Sequence, residues 1–410
     1  MRIALLFLAA FAAISSAFGQ TLTLDEARRR ALEAQPALRA IGLGAKAAEE
    51  ASAADGALPD PRLKLGALNF PTRNFPSARE DMTQVGLSWE QAIPGGDKRR
   101  LRSERTRAEA EQARAEAASL RQGIARDVGL AWVEAWQAAG TERLLTELVR
   151  EYERSSDVAR IALESGKGSQ SDVLAVRQLI GQAKDRQLEF VAQARRARAG
   201  LARWIPDAAS WSLPVELPVF RAPASISAMS ESIEHHPQHA MHLRAQGVAE
   251  ADVALAREAS NPDRSIELGY YARSGGRSDM VMLQFAIELP IFAGQKQDRM
   301  VASKLAQLER ARDQRADHLR QLRAELAAAY ADWDLAGDRL RNLRTAILPE
   351  ARARLDVLVT QHGAGIAPLS TVFDARRGVV EARVQELAFI SAQAKARVAL
   401  QYFEHDEAGR

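Results

Sequence analysis

Four of the seven histidines in this 410-residue chain cluster at His235, His236, His239 and His242. Neutral imidazole nitrogens suit zinc, cobalt or nickel, and the spacing could bring two or three of them together. Against a metal centre, Pro237 interrupts any helix running through the cluster. No CxxC, HExxH or Walker sequence stands nearby to complete a site. Two carboxylates, Asp172 and Asp374, form a second set, with Arg177 and Arg376 as neighbouring basic groups. Each opens a helical pattern, where an acid favours the helix dipole. Nothing in the chain combines a nucleophile with a base, a phosphate loop, or a convergent acid–base pair. The reading is therefore not an enzyme, with no cofactor and no confident metal site.

The elements that position these residues are written twice, the second copy about 200 residues after the first. Leu32-Glu33-Ala34-Gln35-Pro36 returns as Ile233-Glu234-His235-His236-Pro237, and Lys64-Leu65-Gly66 as Glu267-Leu268-Gly269. Val85-Gly86-Leu87-Ser88 with Gly96-Asp97-Lys98 returns as Leu283-Gln284-Phe285-Ala286 with Gly294-Gln295-Lys296. Gly166-Lys167-Gly168 and Asp172-Val173-Leu174 return as Gly363-Ala364-Gly365 and Thr371-Val372-Phe373. Four matches in one order imply a duplication and a quasi-symmetric object. In the first copy the histidine positions are Ala34, Gln35, Leu38 and Ile41, none a ligand.

Ala, Leu, Arg, Glu and Gln dominate and aromatics are 6% of residues, the composition of long helices. The formal net charge is +3 with both signs interspersed, so there is no basic stripe to suggest nucleic acid. Residues 1–19 read as a secretory signal peptide: Arg2, an apolar run from Ile3 to Ile14, then Ala17-Phe18-Gly19 before Gln20. The run is too short to span a bilayer. With no cysteine, neither a disulfide nor an N-terminal lipid on cysteine is available.

The first repeat is expected over 20–208 and the second over 227–410, with a proline-bearing linker at 209–226. Thr23 and Glu26 have capping-box spacing at the start of the first short helix. The period then becomes two. Val85, Leu87 and Trp89 alternate with polar or small residues, as do Val281, Leu283, Phe285, Ile287 and Leu289, giving hairpins at about 62–91 and 265–289. Long helices follow at 97–165 and 295–362, and return helices at 170–205 and 369–401. Sixty-odd helical residues rise on the order of 100 Å. Leu319, Leu322, Leu326, Ala329, Trp333, Ala336, Leu340, Leu343 and Ile347 make an a/d seam of coiled-coil type. Pro349 should kink that helix or begin a new segment. Strands apolar on one face fit an outer-membrane barrel wall, yet four of them cannot close, so several chains must share one barrel.

The order of short helix, proline, hairpin, long helix, glycine turn and returning helix, repeated once, resembles the TolC-like outer-membrane efflux factors. The matching stretches are Leu24-Asp25-Glu26-Ala27 through Pro36, Glu90 to Arg99, Leu289-Pro290-Ile291-Phe292, and the turns ending in Val173-Leu174 and Val372-Phe373-Asp374-Ala375. The junction Gly96-Asp97-Lys98-Arg99 and the short length look most like the heavy-metal branch, the cobalt–zinc–cadmium resistance type.

The resemblance implies a mostly α chain with a membrane β part. Three copies would build a twelve-stranded barrel in outer-membrane lipid and a helical tunnel in the periplasm. Such a homotrimer is a passive duct serving a periplasmic adaptor and an inner-membrane pump of the resistance–nodulation–division class. It further implies adaptor docking at Gly166, Lys167, Gly168, Gly363, Ala364 and Gly365. A periplasmic gate is implied at Asp374, and at Asp172 by its equivalent position in the other copy. The second copy departs from many relatives with Thr371 in place of an acid, and the chain lacks their lipidated cysteine. The alternatives are a multidrug or type I secretion duct of the same fold, or a secreted coiled-coil scaffold, which would not need the alternating hairpins.

Overall fold

A computed structural model describes residues 21–72, 80–166, 169–273 and 275–404. The expected signal peptide, most of the first hairpin loop and two of the turn residues, Lys167 and Gly168, lie outside them. Thr23 caps helix α1 (Leu24–Ala34) by accepting the Glu26 N–H at 3.3 Å. The Glu26 carboxylate does not close a capping box but turns to Arg29 and Arg30 at 2.6 and 2.5 Å. Pro36 then opens α2 (Pro36–Gly56), a position that requires no N–H. The remaining helices are α3 (Lys98–Glu164), α4 (Gln170–Ala202), α5 (Ile226–Ser232), α6 (Pro237–Glu258), α7 (Gln297–Asn342), α8 (Leu348–Gly363) and α9 (Leu369–Gln401). Among the described residues no helix is long and apolar enough to cross a membrane.

The described residues divide into two compact units, one within 21–38, 120–236 and 321–404, the other within 39–119 and 237–320. The first is helical. Trp132 is fully buried there among Leu22, Ala27, Ala31, Val128 and Val398, and its indole N–H donates to the Leu22 carbonyl at 2.9 Å. A further cluster joins Leu145, Tyr152, Val173 and Val176 to Phe373, whose ring meets Tyr152 edge-on at 5.5 Å.

The second unit holds one antiparallel sheet in the order β1 (Arg62–Leu68), β2 (Gln84–Ile93), β3 (Arg264–Arg273), β4 (Met280–Ile287). The two hairpins are joined edge to edge by β2 and β3, with Gln84 opposite Arg273 and Ile93 opposite Arg264. That register aligns Leu63, Trp89, Leu268 and Leu283 in one row, and Leu65, Leu87, Tyr270 and Val281 in the next. All eight are exposed large side chains on one face. On the other face Lys64 bonds both Glu90 and Glu267 at 2.8 Å. The buried Tyr271 ring lies across Gly66, Gly86 and Gly269, where an added Cβ at Gly86 would meet the ring at 2.7 Å. The β2-to-α3 junction is fixed by Asp263, which accepts from the Gly95 N–H and from Lys98, both at 2.7 Å.

In the same unit Asp252 of α6 binds Arg105 of α3 at 2.5 Å and Lys304 of α7 at 2.7 Å. Burial pushes this carboxyl up, but the two charged hydrogen bonds outweigh burial and hold it below the usual carboxylate range. Its stabilisation is therefore present above the ordinary aspartate pKa and lost as pH falls through the depressed value.

The second long helix departs from the continuous seam expected. Leu322, Leu326, Ala336, Leu340 and Leu343 are buried as the heptads require, but Ile347 is 45% exposed and Leu348 takes its place at 6%. Residues Leu343–Ile347 form a π turn, closed by the Leu348 N–H donating to the Leu343 carbonyl. Pro349 has no N–H for the next rung, so one residue is inserted and the seam steps from Leu343 to Leu348. Leu343 and Leu348 pack with Ala382 and Phe389 of α9. Leu348→Ala should therefore cost about 2–4 kcal/mol and Ile347→Ala under about 1 kcal/mol in denaturant or thermal unfolding. Equal losses would return Ile347 to the seam.

Candidate functional site

The two helix-to-helix turns belong to the helical unit and are built differently. At the first, Gly166 takes a left-handed φ of 73° and its N–H reaches the Leu163 carbonyl at 3.0 Å. Ser169 then opens α4 with a reciprocal capping box. Its hydroxyl accepts the Asp172 N–H at 3.1 Å, and the Asp172 carboxylate takes the Ser169 hydroxyl at 2.6 Å and the Ser169 N–H at 3.2 Å. At the second turn, Gly363 ends α8, Ala364 follows as its cap, and Gly365 repeats the φ of 73°. The Ile366 N–H closes on Gln361 at 2.8 Å, and the His362 ring bonds the Ala367 carbonyl at 3.0 Å. Pro368 stands at the N-cap without a side-chain bond, and Thr371 hydrogen-bonds its carbonyl at 2.7 Å. No non-glycine side chain is easily accommodated at φ 73°, which explains glycine at both reversals.

Neither carboxylate pairs with the neighbouring arginine that the sequence offered, Arg177 for Asp172 and Arg376 for Asp374. Asp172 is held by Ser169 rather than Arg177, so its first role is the helix start. Asp374 is exposed and pairs with Arg377, three residues on, at 2.9 Å. Arg376 instead crosses to Glu151 of α3 at 3.0 Å. Both local partnerships had a readable signal: S-x-x-D before an apolar run, and an acid three residues before an arginine. The Arg376–Glu151 bridge, between copies of the repeat, had none.

The histidines do not assemble into a centre. His235 is exposed. His236 is buried against Tyr402 and Phe403, with ring centroids at 4.5 and 5.8 Å, and its Nε2 lies 2.9 Å from the Tyr402 carbonyl. In the other unit His239 is buried and His242 stacks on His318 at 4.3 Å. Burial pushes the His242 imidazole below its ordinary pKa. His318, which the sequence clustering missed, lies on α7. Among the described residues no group of three or more histidines, cysteines, aspartates or glutamates could hold a metal ion.

The solved structures similar to this chain share its fold. A membrane protein from Pseudomonas aeruginosa aligns with a TM-score of 0.79 at 18% identity, covering 94% of this chain and 91% of its own. The outer membrane protein VceC from Vibrio cholerae gives 0.77 at 17%, covering 93% and 95%. CusC, described for conformational changes accompanying folding and transmembrane channel formation, gives 0.78 at 16%, covering 94% and 93%. No curated protein sequence matches significantly. The family model for outer membrane efflux proteins matches residues 27–205 and 228–402, one stretch in each copy of the repeat. The chain therefore belongs to the outer membrane efflux protein family.

Proposed function

We propose that three copies close one twelve-stranded barrel in the outer membrane and continue as a helical tunnel in the periplasm. The assembly is the passive exit duct of a tripartite system, serving a periplasmic adaptor and an inner-membrane pump of the resistance–nodulation–division class. The observation that carries this reading is the sheet. One face is a continuous exposed apolar surface, while β1 and β4 end the ladder within the chain. Unpaired strand edges in hydrocarbon cost several kcal/mol per backbone group, so the edges must find partners on other copies. The mature protein should therefore extract as a detergent-stable trimer. A monodisperse, water-soluble monomer would contradict the barrel.

The turns at 166–168 and 363–365 are the proposed adaptor-docking tip, and Asp172 and Asp374 the proposed gate. Exposed Leu174 and Ile366 offer apolar contact beside the turns. Threefold symmetry would place the carboxylates in rings of three, which attract cations, repel anions and, through links to neighbouring basic groups, can hold a constriction shut. Because Asp172 also caps α4, the test needs a control. Asp172→Ala with Asp374→Ala should raise single-channel conductance and weaken cation block. Ser169→Ala, which breaks the cap but keeps the carboxylate, should leave both close to wild type. A matching effect from Ser169→Ala would assign Asp172 to helix capping alone.

Heavy-metal cations are the proposed cargo, supported by the sequence likeness at Gly96-Asp97-Lys98-Arg99. Selectivity then lies in the pump, since a wide duct needs no tight site. Deleting the protein should sensitise cells to zinc, cobalt, cadmium or nickel while leaving resistance to dyes and detergents nearly intact. The reverse pattern would make it a multidrug duct of the same fold.

A further inference from the structure

Charges of both signs alternate along most of this chain, but they separate on two helices of the helical unit. From Phe190 to Pro206, at the end of α4, the sequence holds four arginines and no acid. From Ala324 to Asp338 of α7 it holds four acids and no base. On α4, exposed Ala192, Arg196, Ala199 and Arg203 recur every three or four residues and form one stripe, opposite buried Ala194, Ala197 and Leu201. On α7, exposed Ala324, Ala327, Ala331, Asp334 and Asp338 form another, opposite buried Leu322, Leu326 and Leu340. Leu335 lies beside it, 57% exposed. Both stripes thus point away from the core of their own chain. Among the described residues Arg195, Arg196, Arg198 and Asp334 have no ion-pair partner within the chain. Asp338 meets only Arg341 of its own helix, at 2.9 Å, and Arg203 lies over the ring of its neighbour Trp204. Contacts between the helices fix the height of each stripe. Gln187 of α4 bonds Thr146 of α3 at 2.9 Å, Gly140 of α3 abuts Leu387 of α9, and Gly337 of α7 abuts Gln393 of α9. Counting along each helix from these contacts places Arg203 and Asp334 at one level, close to Ala131 of α3. Ala199 and Asp338 share the next level, close to Ala135.

We propose that the α7 stripe of one copy packs antiparallel on the α4 stripe of the next copy, with Asp334 facing Arg203 and Asp338 facing Arg196. The inference rests on the reading that three copies share one barrel, and it names the surface that joins their helical units. A ring needs a head-to-tail contact between two different patches, and each copy carries one of each. Opposite charge at matching levels of the same chain makes a second copy the fitting occupant. The alanines of both stripes let the helix axes approach closely, and Leu335 is covered when they do. Ion pairs at such a seam set register and partner choice more than they add affinity. The surface is separate from the gate and docking turns, and stands whichever cargo the duct carries.

The test uses the full chain, which has no cysteine of its own. Leu335→Cys combined with Ala199→Cys, treated with a short bismaleimide in native outer membranes, should give covalent trimers under denaturing conditions. Either substitution alone should give none. Asp334→Arg and Arg203→Glu should each lower the temperature at which the detergent-extracted trimer dissociates by several degrees. The two together should recover most of that loss, which separate damage to two helices would not do. Stable trimers without the crosslink, or a combined variant no better than the worse single one, would overturn the proposal and leave the shared barrel standing. A wild-type chain that never forms trimers would remove the barrel reading and this surface with it. Charge reversals that leave trimer dissociation unchanged but release a co-extracted adaptor would give the stripes to that partner and equally overturn the proposal.

Discussion

The backbone groups along the outer edges of β1 and β4 constrain everything else in this protein. A peptide N–H or C=O without a partner is tolerable in water and prohibitive in hydrocarbon. The same four strands present Leu63, Leu65, Leu87, Trp89, Leu268, Val281, Leu283 and Phe285 outward, a surface that water disfavours. The two demands pull together. Lipid satisfies the apolar face, and only another strand satisfies each edge. The polar face adds its own requirement, since Lys64, Glu90 and Glu267 form a charged cluster suited to a wet interior.

Duplication makes the two copies similar in path but unequal in chemistry. The first turn is closed by hydrogen bonds between Ser169 and Asp172, the second by Pro368, Thr371 and the His362 ring. The first strand-to-helix junction is tied down by Asp263 through Gly95 and Lys98. A π turn interrupts the second copy's long helix, and Pro349 stands two residues beyond its end. The copies also hold each other, through Arg376 with Glu151 and Arg186 with Glu381. A ring of three chains would thus alternate two kinds of turn around its axis.

Much of this was legible in the residues because hydrophobic period reports which face a residue occupies. Alternation at Val85, Leu87 and Trp89 identified strand and face, but not that β2 pairs with β3 of the other copy. Pairing between segments so far apart depends on register, which alternation leaves open. The seam through Leu322, Leu326, Leu340 and Leu343 was equally readable. Its step to Leu348 was not, since Ile347 fits the spacing equally well and only the missing Pro349 N–H signals the change. Among the candidate site residues, Asp374 was placed on the right helix but next to the wrong arginine. For the clustered histidines, which offered no confident metal site, sequence proximity did not imply a shared environment. His236 serves a core with Tyr402 and Phe403, whereas His242 found His318 on another helix.

Closure by exactly the right number of copies is the central claim, and the absence of cysteine in the chain makes it directly measurable. One cysteine at Leu65 on β1 can be combined in turn with one at each outward position of β4, Val281, Leu283, Phe285 and Ile287. The doubly substituted protein is then oxidised in native outer membranes and resolved under denaturing conditions. At the position matching the intersubunit register, a covalent species three chains in size should form and nothing larger. Monomers at every pairing, or a ladder continuing beyond three, would contradict a barrel shared by three chains.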